Sequence, residues 1–158
     1  MDFEYMSAAA YGEYVTIDEH LAKVKFRSGT DIQEPNPHEI INMQDSYGLT
    51  MLMEAARNNS YETVEYLLKH GADVHLRDRN GCTALHYACS EASVKIIQLI
   101  VDSGADVNAQ DGEGKTPLHY ANEHNRNDVE RILITHNANL QIRDNKNNYP
   151  LSWLNSFK

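Results

Sequence analysis

Aspartate recurs every 33 residues in this chain, at Asp45, Asp78, Asp111 and Asp144. Gly48, Gly81 and Gly114 keep the same step, with Asn147 in the fourth place. Thr50, Thr83 and Thr116 follow, and then Leu52, Leu85, Leu118 and Leu151. Gly71-Ala72-Asp73 returns as Gly104-Ala105-Asp106 and, weakened, as Asn137-Ala138-Asn139. A period of this length predicts stacked supersecondary units, none of which buries its apolar face alone. The full units are 45–77, 78–110 and 111–143.

Each recurring residue has a local physical task. Gly48, Gly81 and Gly114 suit a tight turn that needs positive φ, and Asn147 is the next most tolerant residue there. Thr83 and Thr116 stand just before a helical pattern, where a hydroxyl caps free N–H groups. Pro117 and Pro150 fall in a first helical turn, where a missing N–H costs little. Small residues (Ala55, Ala56, Ala88, Ala121) allow close approach of neighbouring helices. A second apolar pattern follows in each unit: Val64, Leu67 and Leu68; Ile97, Ile100 and Val101; Ile132, Leu133 and Ile134. Gly71 and Gly104 end that second helix as left-handed caps. Every unit therefore reads turn, helix, short loop, helix, turn.

Thr116-Pro117-Leu118-His119-Tyr120-Ala121 carries the whole T-P-L-H-x-A motif, and Thr83-Ala84-Leu85-His86-Tyr87-Ala88 departs only at the proline. Thr50-Met51-Leu52-Met53-Glu54-Ala55 lacks both proline and histidine. With the period, these residues make the chain resemble the ankyrin-repeat family over residues 45–154. The resemblance implies an all-α solenoid of stacked helix-turn-helix units with short β-turn fingers. Residues 1–44 are read as a degenerate N-terminal capping repeat with a loop insertion around Glu34-Pro35-Asn36-Pro37. Within it, Ser7–Ala10 and Asp18–Arg27 are the candidate helices. Residues 144–158 are read as a C-terminal half-repeat, either a cap or a boundary of the piece in hand.

The family resemblance implies protein binding on a concave side formed by the fingers and the first helices. Stacking at a fixed period places equivalent residues in columns. One column is Glu54, Tyr87, Tyr120 and Trp153, and its three aromatics resemble interface anchors. The opposing reading is that the rings pack between helices and stiffen the stack. Rim candidates are Tyr47, Arg57, Arg79, Glu113, Glu123 and Arg143. Asn108, within Asp106-Val107-Asn108, resembles the finger asparagine that an oxygen-sensing hydroxylase modifies in ankyrin proteins. The expected function is a non-catalytic adaptor, scaffold or regulatory subunit. The alternatives are an inhibitor of a partner enzyme such as a protein kinase, and the ankyrin domain of a larger adaptor or effector.

Other chemistries find little support. The chain holds 14 basic and 23 acidic residues, −9 with histidine neutral, and no basic block. Binding to nucleic-acid backbones is disfavoured, whereas a basic protein surface is a suitable partner. The longest apolar stretches are too short for a membrane span, and Asp2 and Glu4 do not open a secretory signal. Two cysteines, Cys82 and Cys89, make no disulfide framework, so a reducing cytoplasm or nucleus is expected, with a monomer as the default. Ala109-x-x-x-x-Gly114-Lys115-Thr116 nearly matches a phosphate-binding loop, but the repeat already accounts for Gly114 and Thr116, and Pro117 removes a needed N–H. His70 with His75, and His119 with His124, lie off the spacing of a helical metal pair. His86 and His119 are read as structural, each ring bonding the adjoining turn. No metal, cofactor or catalytic set is expected.

Overall fold

The computed structural model describes residues 37–151. Among them are seven helices and no strand. These are α1 (Pro37–Ile41), α2 (Met51–Arg57), α3 (Tyr61–Lys69), α4 (Ala84–Glu91), α5 (Val94–Asp102), α6 (Pro117–Glu123) and α7 (Asn127–Thr135). The N-terminal helix candidates, the half-repeat's Trp153 and the rest of 152–158 lie outside the described residues. Pro37, read above as part of an inserted loop, instead opens α1, at a position where a missing N–H costs little.

The finger turn is built by its aspartate, a task not evident from the period alone. Asp45 Oδ1 accepts the backbone N–H of Tyr47 and of Leu49, both at 2.8 Å. Asp78 does the same for Asn80 and Cys82, Asp111 for Glu113 and Lys115, and Asp144 for Lys146 and Asn148. A short acceptor two residues before the donor replaces a strand ladder and closes the turn locally. The fourth turn residue then swings to positive φ, +81° at Gly81 and +68° at Asn147. At Gly81 an added Cβ would also meet Gly112 N of the next finger at 2.9 Å, so conformation and close approach both require glycine there.

The threonine column opens the inner helices α2, α4 and α6, each in a capping box with the residue three positions on: Met53, His86 or His119. The outer helices α3, α5 and α7 turn one apolar stripe inward, with Val64 and Leu67, Ile97 and Ile100, and Val129 and Leu133 all fully buried. Each such side chain contributes roughly 1.5–3 kcal/mol of burial. Gly71 and Gly104 end α3 and α5 at φ +89° and +90°, and Asn137 takes the same conformation after α7. Asn59 and Asn125 also reach positive φ between inner and outer helix, where the first and third hairpins reverse.

Hairpins stack by like on like. Helix α2 packs on α4 and α4 on α6, while α3 packs on α5 and α5 on α7. Ala55, Ala56, Ala88 and Ala121 are wholly buried at these crossings. Fingers join through one backbone bond per step: Arg79 N to Tyr47 O at 3.0 Å, Gly112 N to Asn80 O at 2.7 Å, and Asn145 N to Glu113 O at 2.8 Å. Side chains of the residue before each aspartate add a second link. Gln44 Nε2 donates to Gly48 O and across to Arg77 O, Arg77 Nη1 to Gly81 O and Gln110 O, and Gln110 Nε2 to Gly114 O and Arg143 O.

Candidate functional site: the finger-side face

The inner helices place one side chain per repeat beside the fingers. In the second and third repeats that residue is a tyrosine nine positions after the turn aspartate, which brings its hydroxyl back to the turn. Tyr87 OH donates to Asp78 Oδ2 at 2.7 Å, and Tyr120 OH donates to Asp111 Oδ2 at 2.8 Å. One carboxylate thus holds its turn with Oδ1 and an aromatic ring with Oδ2. Burial, reinforced by the bond to Asp78, pushes the Tyr87 phenol well above its usual range. The same holds for Tyr120, whose hydroxyl also lies 3.3 Å from Cys82 Sγ. Both hydroxyls stay protonated donors at neutral pH.

The column therefore divides. Both tyrosines are half-buried and pack partly on the core, as the stiffening reading proposes, yet each still lines a surface groove. Glu54, in the first repeat, is recessed with 12% of its side chain exposed, and it faces Arg57 at 3.6 Å while accepting from Asn58 Nδ2. Trp153 lies outside the described residues.

Among the described residues, a larger and a smaller groove lie along this face. The larger one, about 640 Å³, is lined by Arg79, Asn80, Cys82, Tyr87, Asp111, Gly112, Glu113, Lys115 and Tyr120. The smaller one, about 370 Å³, is lined by Arg57, Asn58, Tyr87, Ser90, Glu91 and His124. Tyr87 borders both. Lys115, singled out above by its near-match to a phosphate loop, is committed elsewhere: its Nζ lies 3.2 Å from Glu113 and 2.8 Å from Glu123. The bond to Glu123 is the main cause that raises its pKa. It also sits 5.9 Å from the Tyr120 ring centroid. This ion triad was not read from the sequence; a lysine two after Glu113 and eight before Glu123 is the pattern that carries it.

The remaining candidates scatter along the rim. Tyr47 is 68% exposed at the first finger tip, and Arg79 is exposed on the second. Arg143 folds onto its own finger instead of reaching outward: Nη1 donates to Asn147 Oδ1 at 2.7 Å, Nη2 to Tyr149 OH, and the guanidinium stacks 4.1 Å from the Tyr149 ring. Asn108 spends its amide on the next loop, accepting from Asn139 N at 2.7 Å and donating to Asn137 O at 3.3 Å.

The two motif histidines tie repeats together from behind this face. His86 Nδ1 accepts from Thr83 N at 3.1 Å, which leaves the proton on Nε2, and Nε2–H donates to Lys115 O of the next repeat at 3.2 Å. His119 repeats the arrangement with Thr116 N and Asn148 O. Burial lowers the pKa of His86, opposed in part by the bond to Lys115 O, so the ring is neutral at physiological pH. The ring of His86 meets Tyr120 edge-on, with centroids 5.3 Å apart.

Cys82 and Cys89 are free and buried, and burial raises both thiols. Among the described residues no cluster of three or more His, Cys, Asp or Glu is placed to hold a metal ion. No helix among them is long and apolar enough to cross a membrane.

A solenoid of helical hairpins with self-clamped fingers and a side-chain column beside them defines the class. The family model for ankyrin repeats, in three copies, matches residues 6–111 and 71–144. The chain belongs to the ankyrin-repeat family, whose members are generally protein–protein interaction modules. A search of curated proteins found no match.

Proposed function

We propose that this chain is a non-catalytic adaptor or regulatory subunit that holds a partner protein on its finger-side face. The observation that carries this reading is Tyr87, a ring fixed by Asp78 at the junction of two open grooves. An aromatic already held in place loses little entropy on docking and presents both an apolar body and a polar tip. A partner interface of standard size, about 1,200–2,000 Å², would extend from this ring to Arg57, Arg79, Glu113 and Glu123. Two buried free thiols support a reducing compartment inside the cell.

The test is site-specific photo-crosslinking in cells of origin. A crosslinker at Arg79 is expected to trap a discrete partner protein, and one at Lys95 on the outer helix α5 is not. Equal trapping from both sites, or trapping from the outer helix alone, rejects the finger-side reading.

A further inference from the structure

In the third repeat the chain itself bridges the furrow between finger and helix. Glu113 at the finger tip, Lys115 and Glu123 at the end of α6 form one ion triad beside the Tyr120 ring. One step earlier in register these positions hold Asn80, Cys82 and Ser90, which form no ion pair. Tyr87 is therefore left unbridged, at the point where the two grooves meet.

The charges that reach solvent are sorted around that ring. Arg79 has no ionic partner among the described residues, and Arg57 keeps 53% of its side chain exposed despite Glu54. Both belong to the first two repeats. On the third-repeat side, Glu113 and Glu123 are 64% and 47% exposed and share a single ammonium, which leaves one carboxylate charge in excess. Glu91, in the second repeat, lines the smaller groove together with Arg57 and is the exception to this order.

Building on the finger-side reading, we propose that this polarised furrow seats an extended segment of the partner with an ordered chemistry. An acidic side chain meets Arg57 and Arg79, an apolar or aromatic one lies on Tyr87, and a basic one meets Glu113 and Glu123. A segment of reversed order would set like charges opposite each other, so the charge pattern selects direction as well as composition.

Panning phage-displayed random linear peptides on the full chain tests this. The expected result is enrichment of peptides with acidic, apolar and basic residues in that order. A synthetic peptide of the enriched consensus is expected to lose about tenfold or more in affinity when its order is reversed, or on Arg57→Glu with Arg79→Glu. Lys95→Glu with Arg131→Glu on the outer helices is expected to leave its affinity unchanged, and thermal melts verify that both double variants fold. Absence of enrichment, enrichment without charge order, or indifference to the Arg57/Arg79 exchange overturns the inference. Peptides that depend on Tyr87 but ignore the charges overturn it while leaving the finger-side reading intact.

Discussion

Thr63 is wholly buried in α3, and its Oγ1 has no hydrogen-bond partner among the described residues. The same register position holds Ile96 in the second repeat and Val129 in the third, both fully buried. Thr63→Val replaces the hydroxyl by a methyl of nearly the same size and keeps the β-branch, so neither rotamer nor helix propensity changes appreciably. A buried hydroxyl without a partner costs about 1–3 kcal/mol. The variant is therefore expected to gain about 1–2 kcal/mol, read as a higher urea midpoint at unchanged slope. For a chain of this size that corresponds to roughly 2–8 °C in Tm. Thr63→Ser serves as the control, because it keeps the hydroxyl and removes a buried methyl, and it should lose about 1 kcal/mol. Native-state hydrogen exchange places the effect, with slower exchange expected in α3 before α7 responds. A Thr63→Val protein no more stable than wild type would refute the reasoning, since it would mean the hydroxyl is satisfied in solution.

Four further outcomes are expected. Stability, followed by urea midpoints, should be full above about pH 7 and fall as pH drops through 6.5, the ordinary histidine value. Below that value the unfolded chain takes up a proton that folded His86 resists, and His86→Gln should flatten this slope at some cost in stability. Gly81→Ala should destabilise by about 2–4 kcal/mol, because the residue must hold φ +81° and its Cβ would meet Gly112 N; calorimetry measures it. Tyr120→Phe should cost about 1–2 kcal/mol in chemical denaturation through loss of the bond to Asp111, with helical circular dichroism unchanged. Excision of residues 78–110 should lower Tm while preserving helical content per residue, because among the described residues the main helix contacts run within a hairpin or between neighbouring hairpins.

Much of the fold was legible because its rules are local. A glycine at positive φ, a threonine ahead of a helix and an apolar stripe of helical spacing each act within a few residues, so they survive as letters at fixed offsets. The aspartate column was visible in the same way, yet its bonds to the turn N–H groups were not read from it. The candidate site was legible only as a set of columns. Tyr87 and Tyr120 occupy the same slot in the same motif, and the one difference between the hexapeptides, Ala84 against Pro117, says nothing about which ring is bridged.

The sequence by itself determined the period, the hairpin units, the helix caps and the family, since each rests on backbone conformation and short-range hydrogen bonding. Only the tertiary structure decided which surface residues remain free. Whether Tyr87 is open and Tyr120 bridged depends on Asn80, Cys82 and Ser90 against Glu113, Lys115 and Glu123. Whether Arg143 reaches outward or folds onto Tyr149 depends on that neighbouring ring. Such outcomes are competitions between side chains brought together by stacking, and a repeat period records the stacking without recording which side chain wins.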